Sequence, residues 1–313
     1  MNSRTPLTKR NRRVLVHGLH NFGRMFADLM NGDGWEFRYY RDKGIANFAG
    51  MARELQRCDL VYQIGGRISF GKFLLAAKLM GKRRIVMHWV GSDTILGLQE
   101  FSSGKSDPWV AQNSVHWAET PWMVQEVQGL GLSCDLVPLP SARVPEEPSP
   151  LSPEFSVLLY VPDIARASFY GLDSMLQVAR ELPHIRFDLL GLENASLANV
   201  PPNFHNHGKI PDPTDFLRRS AVLWRPVQHD GLSLMVLEAL GHGRHVLWTY
   251  QFPGCVAVKS AREARDRISE FHEKHKRGDL EINHIGAKVV AETYLPRKLR
   301  GRIRARLDEI LES

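Results

Sequence analysis

Several things are missing from this 313-residue chain, and each absence removes a class of protein. No apolar run is long enough to cross a bilayer, so no membrane-spanning helix is expected. Cysteine is scarce: Cys58, Cys134 and Cys255 stand far apart, with no Cys-x-x-Cys pair. That speaks for a reducing compartment, the cytoplasm, and against a disulfide framework or a zinc site. No apolar stretch follows the basic residues Arg4, Lys9, Arg10, Arg12 and Arg13, so no secretory signal is expected. No Gly-x-Ser-x-Gly elbow offers a hydrolase nucleophile. His205-x-His207 and His242-x-x-His245 lack acidic or thiol companions at fitting spacing, so no metal is expected.

What is present is an ordinary apolar share of 43% and an excess of cations, 41 Lys and Arg against 34 Asp and Glu, a net charge of +7. The excess suggests an anionic partner. Nucleic acid is not expected to be that partner, because no reading helix or aromatic-basic platform is recognisable. The second basic cluster, Arg297, Lys298, Arg300, Arg302, Arg304 and Arg306, is interleaved with Leu299, Ile303, Leu307 and Ile310 at helical spacing. An amphipathic helix with a basic outer face is expected over 297–311. Docking on its own protein is the plain outcome for such a helix, and peripheral contact with an anionic membrane at its inner face the sharper one.

Short apolar runs alternate with helical patterns almost from end to end. Strands are expected over 14–17, 36–40, 60–64, 84–89, 115–118 and 135–137, and helices over 22–30, 47–56, 70–80 and 122–130. Six prolines between Pro138 and Pro153 then interrupt the pattern. It restarts with strands over 155–160, 185–190, 221–224 and 245–248, and helices over 172–181, 213–219, 232–240, 261–276 and 282–294. This rhythm predicts an α/β protein of two Rossmann-like, doubly wound domains facing a central cleft, with a C-terminal amphipathic helix. The boundaries follow as 1–140, a proline-rich linker at 141–153, a second domain at 154–295 and the helix at 296–313. Ligands of such sheets bind outside the carboxyl ends of the strands.

One segment carries more chemistry than the rest: His229-Asp230-Gly231-Leu232-Ser233-Leu234-Met235-Val236-Leu237-Glu238-Ala239-Leu240. Gly231 permits a tight turn, and a helix starting near Leu232 presents backbone N–H groups suited to a diphosphate. Glu238 falls inside that helix among apolar residues, where a carboxylate needs a partner such as a pair of sugar hydroxyls. Asp230 can equally be a helix cap and Glu238 a surface residue. In the first half, Gly18 ends the opening strand in a loop that fits neither the Gly-x-Gly-x-x-Gly fingerprint nor a P-loop. His88 ends another strand, and Asp93 follows it in a Gly-Ser-Asp turn.

The segment from Asp230 to Glu238 resembles the donor-binding motif of retaining glycosyltransferases of the GT-B fold, the family-4 type. Asp230 stands where that family has its first Glu, and Glu238 matches the second. Gly241-His242-Gly243-Arg244-His245-Val246 resembles the Gly-x-Pro-Val strand entry that follows, with His245 in place of Pro. The resemblance implies that Asp230 contacts donor-sugar hydroxyls, that Glu238 contacts the ribose, and that Gly231, Leu232, Ser233 and Leu234 form the diphosphate cradle. It implies a Gly18 loop facing the diphosphate, His88 as a catalytic residue near the sugar, and Asp93 on the acceptor side. The family's Arg and Lys pair is lost: Asp163 and Tyr170 occupy the two positions, leaving Arg166 and Lys209 as the candidate phosphate cations. The absence of Asp-x-Asp disfavours the metal-dependent glycosyltransferase type.

The expected activity is transfer of a sugar from a nucleotide-diphosphate sugar to an acceptor hydroxyl, with retention and without a metal. The acceptor is a glycan, lipid-linked or small molecule, and no cofactor is implied beyond the nucleotide sugar as co-substrate. The alternative is a non-catalytic or epimerase-like sugar-nucleotide-binding protein of the same fold.

Overall fold

The structure, a computed structural model, describes residues 10–41, 48–140, 143–193, 197 and 199–313. Arg4 and Lys9 of the basic arm, and the first two residues of the expected linker, lie outside the described residues. The chain forms two compact units, Met1–Ala142 with Pro296–Ser313, and Arg143–Leu295.

The first unit runs β1 (Arg12–Gly18), α1 (His20–Met30), β2 (Trp35–Tyr39), α2 (Phe48–Arg57), β3 (Leu60–Ile64) and α3 (Lys72–Leu79). It continues with β4 (Ile85–Trp89), α4 (Asp93–Ser102), α5 (Pro108–Gln112), β5 (Ser114–Ala118), α6 (Pro121–Gln128) and β6 (Cys134–Leu136). The six strands form one parallel sheet in the order β2-β1-β3-β4-β5-β6. Both faces are covered, as parallel strands require. Val14 and Val16 of β1 point into a core with Phe26, Ala27 and Met30 of α1, while Leu15 points into another with Leu55 of α2 and Phe73 of α3. β3 and β4 are buried throughout, which fits their mostly apolar character, with Gln63 and His88 the polar exceptions.

The second unit runs β7 (Ser156–Tyr160), a 3-10 turn (Ile164–Arg166), α7 (Leu172–Glu181), β8 (Arg186–Leu190), β9 (Phe204–Asn206) and α8 (Thr214–Arg219). Then come β10 (Val222–Arg225), α9 (Leu234–Gly241), β11 (His245–Trp248), β12 (Cys255–Ala257), α10 (Ala261–Lys276), α11 (His284–Val289) and a π turn (Val290–Tyr294). Its parallel sheet has the order β12-β11-β10-β7-β8-β9. The chain leaves β7 in one direction and returns on its other side, so a switch point falls between β7 and β10, as one falls between β1 and β3 in the first unit. Ligands of doubly wound sheets bind at such points.

Two further features fix the frame. The last helix, α12 (Pro296–Glu312), belongs to the first unit: Leu299, Ile303 and Leu307 are at most 1% exposed, and the last two join the core beside α1. Each such burial is worth about 1.5–3 kcal/mol. Its basic face is largely occupied at home. Arg304 donates to the Met30 and Gly32 carbonyls at 2.7 Å and to Asp33, Arg300 also reaches Asp33, and Arg306 pairs with Asp135. The proline-rich stretch is fastened along the second unit. Arg244, wholly buried, donates to the carbonyls of Ser149, Pro150, His242, Arg218 and Ser220. Burial brings its pKa down to about 10, which leaves it charged at neutral pH.

Candidate functional site

The second unit gathers its chemistry at the carboxyl ends of β7 and β10. Gly171 makes this possible. Its φ of +72° and the 2.4 Å that a Cβ would leave to the Pro226 carbonyl admit only glycine there. The loop before α7 therefore closes onto the loop before α9, and Gln228 donates its N–H to the Phe169 carbonyl at 2.9 Å. Tyr170 is thereby laid 5.2 Å from the guanidinium of Arg225.

Arg225 is one of two residues, with Arg143, that sequence reasoning missed. It ends β10 at 7% exposure and holds both carboxylate oxygens of Asp230, through Nε to Oδ2 and through Nη2 to Oδ1 at 3.0 Å. Burial disfavours its charge, and the Asp230 carboxylate more than offsets this, so its pKa lies above the ordinary value. The Asp230 N–H donates to the Tyr250 hydroxyl at 3.2 Å, fixing the loop from the other side. A buried guanidinium calls for a carboxylate, and folding sets Asp230, five residues on, against it.

Helix α9 starts at Leu234, two residues later than the sequence pattern suggests, because Ser233 serves as its N-cap and accepts from the Val236 N–H at 3.4 Å. Gly231, Leu232 and Ser233 are buried in the turn that leads into it. The first N–H groups of the helix have no intrahelical acceptor, which keeps its N-terminus suited to an anion. Glu238 lies one turn above Leu234 on the same face, its side chain 3% exposed. Its Oε1 is 3.5 Å from Nε of Arg143, in the proline-rich stretch. No sequence signal marked Arg143.

The two cations expected at the diphosphate have other company. The exposed Arg166 lies over the rings of Phe169 at 4.9 Å and Tyr170 at 5.1 Å. Lys209 pairs with Glu193, both side chains exposed.

In the first unit, Gly18 ends β1 at a φ of +111°, where a Cβ would fall 1.8 Å from the Ile64 carbonyl of β3, so the switch point itself requires glycine. His17 beside it stacks on Phe73 at 3.9 Å and meets Gln63 Oε1 at 2.8 Å. His88 does not fit the role expected of it. It is fully buried, with Nδ1 2.6 Å from the Tyr62 hydroxyl and Nε2 2.8 Å from the Val137 carbonyl. Burial lowers its pKa to about 4, so it is a neutral interior histidine with both nitrogens engaged. Asp93 is likewise turned inward. It opens α4 and accepts from the N–H groups of Gly66 and Val90, tying the turns after β3 and β4 together. Burial pushes its carboxyl up to about 6, against the effect of those hydrogen bonds. A cavity of about 300 Å³ in this unit, lined by Arg13, Glu36, Arg38, Glu54, Arg57 and Cys58, opens at the opposite, amino edge of the sheet. The Arg13–Glu36 and Arg38–Glu54 pairs neutralise most of its charge.

No family profile matches the chain, and no curated protein matches it in sequence. Solved structures do match. Sucrose-phosphate synthase from Thermosynechococcus elongatus superposes with a TM-score of 0.73 at 10% identity, over 96% of this chain and 100% of that one. Anabaena HepE in complex with UDP and glucose gives 0.71 at 11%, over 96% and 100%. The pneumococcal O-GlcNAc transferase GtfA in complex with UDP and GlcNAc gives 0.64 at 12%, over 84% of this chain; the match spans 60% of GtfA. These are GT-B glycosyltransferases, and the fold of this chain is theirs: two Rossmann-like α/β units of GT-B type.

Proposed function

We propose that this chain is a glycosyltransferase that moves a sugar from a nucleotide-diphosphate sugar to an acceptor hydroxyl, with retention and without a metal. The observation that carries the reading is the arrangement at the β7–β10 switch point, where Asp230 and Glu238 bracket the N-terminus of α9. Glu238 accepts the ribose hydroxyls of the donor. The N-terminus of α9 faces the diphosphate with a partial positive charge of about half a unit. As the anomeric C–O bond breaks, its electron pair passes to the β-phosphate oxygen. The acceptor oxygen bonds the anomeric carbon on the same face and gives its proton to the departing phosphate, and the helix end stabilises the phosphate charge. Asp230, held by Arg225, offers the donor sugar a carboxylate fixed in orientation.

UDP and UDP-sugar complexes among the solved GT-B structures support a nucleotide-sugar donor here. The three cysteines are all unpaired thiols, which supports a reducing, cytoplasmic setting. Among the described residues no helix is long and apolar enough to cross a membrane.

The test is thermal-shift screening of the full chain against nucleoside diphosphates and their sugars, since a ligand of the folded state raises its melting temperature. Glu238→Ala should weaken the best ligand at least about tenfold, the worth of one buried charged hydrogen bond. Unchanged affinity would sink the assignment. An inverted anomer in the product would remove retention, and loss of turnover on chelation would remove metal independence. Tyr170 at the family's Lys position and the Lys209–Glu193 pair favour one second reading, a sugar-nucleotide-binding protein without turnover. Tight binding with neither transfer nor donor hydrolysis would select it.

A further inference from the structure

The second unit lacks the family's cation pair, and the cations that remain near α9 are not equivalent. Arg225 is buried and committed to Asp230. Lys209 stands in an exposed pair with Glu193, and Arg166 rests on the rings of Phe169 and Tyr170. Arg143 differs in kind. Its side chain is 48% exposed, yet its guanidinium reaches the 3%-exposed carboxylate of Glu238. Nη1 donates to the Pro211 carbonyl at 3.2 Å, in the loop that follows β9. Its charge is felt by the Tyr160 phenol at the end of β7 and by Asp212. Arg143 thus lies at the mouth formed by the end of β7, the post-β9 loop and α9.

Arg143 belongs to the proline-rich stretch. The stretch is already anchored by Arg244 on Ser149 and Pro150, and by the Ser149 N–H on the His242 carbonyl at 3.2 Å. At 3.5 Å the contact with Glu238 is longer than a normal charge-assisted hydrogen bond.

We propose that Arg143 is the cation that meets the diphosphate of the nucleotide sugar. It holds the Glu238 carboxylate in the unliganded protein and yields it to the ribose hydroxyls on binding. Its planar guanidinium then presents paired N–H donors to phosphate oxygens. The site compensates in this way for Asp163 and Tyr170 at the family's cation positions. The inference rests on the nucleotide-sugar reading given above.

The experiment measures binding of uridine and of uridine diphosphate by calorimetry to the full chain, and of the adenosine, guanosine, cytidine and thymidine pairs in the same way. Wild type, Arg143→Gln and Arg143→Lys are compared. In Arg143→Gln the diphosphate should weaken at least about tenfold while the nucleoside keeps its affinity or gains. Arg143→Lys should fall between, and the salt dependence of diphosphate binding should flatten in Arg143→Gln. An equal loss for nucleoside and diphosphate, or no loss, overturns the proposal and leaves Arg143 as a brace for Glu238 alone. A wild-type chain that binds none of the diphosphates fails at the earlier step, and the nucleotide-sugar site falls with it. If Arg143→Gln does not fold, Arg143→Lys decides, because a point charge without the fork should still cost the diphosphate several-fold and the nucleoside nothing.

Discussion

At the scale of single residues, the pairing of Arg225 with Asp230 changes what the acid can do. Asp230 is one methylene shorter than the Glu of the motif it resembles, and its two oxygens are already turned to a guanidinium. Removing one partner leaves the other buried and uncompensated, which costs about 3–5 kcal/mol, whereas removing both can be far milder. Arg225→Met and Asp230→Leu should each destabilise strongly, and the double variant less than the sum. A chemical-denaturation cycle measures the coupling; strictly additive losses would mean that the pair contributes nothing. His88 gives a second residue-scale prediction. Its folded pKa of about 4 lies below the unfolded value near 6.5, so the stability it contributes is present above about pH 6.5 and is lost as pH falls toward 4. The full loss is about 3 kcal/mol. Asp93 has the opposite sign: its folded pKa of about 6 exceeds the unfolded one, so it favours the folded state at low pH and loses that contribution as pH rises to 6. His88→Gln should therefore be less stable at pH 7, and its deficit against wild type should shrink as pH falls from about 6.5 to about 4. A deficit that stays constant across that window would show that His88 is not the titrating group.

At the scale of elements, what could be read from the sequence depended on whether local pattern or tertiary contact decides the element. β3, β11, α7 and α10 have the bounds the pattern predicts, because runs of buried residues or a 3.6-residue period specify them alone. β9 and β12, three residues each at sheet edges, were not read, whereas the equally short β6 was read one residue late. α4 and α5 went unseen because Gly97, Ser102 and the Asp107-Pro108 step blur the helical period. The expected helix at 282–294 divides into α11 and a π turn. The candidate site was legible in outline from Asp230 to Glu238, since a turn glycine, a cap and two acids at fixed spacing are local. Arg225 and Arg143 were not read. The first is a charge inside a buried strand, meaningful only once its acid is folded against it. The second comes from a proline-rich stretch more than ninety positions from Glu238, and only folding brings the two together.

At the scale of the whole molecule, the chain enters the second unit once and then returns its last helix to the first. The return is not incidental to the first unit's stability. Ile303 and Leu307 are fully buried beside Phe26 and Met30, and Arg304 satisfies the Met30 carbonyl at the end of α1 together with that of Gly32. Helix carbonyls at that end have no intrahelical donor, so losing α12 would uncover apolar surface and orphaned acceptors together. Burying its apolar stripe supplies about 5–9 kcal/mol by area, comparable with the whole stability of an ordinary domain. Leu307→Ala should cost about 2–5 kcal/mol, the range for an aliphatic residue cut back in a core that cannot collapse. The loss should appear as faster amide exchange in β1, β3 and α1, the elements that share its core, while amides of β7 and β8 keep their protection. Unchanged exchange in β1 and α1 would mean that α12 rests on the first unit without holding it. In that case the basic residues of the helix, rather than its apolar stripe, would be the reason for its place in the chain.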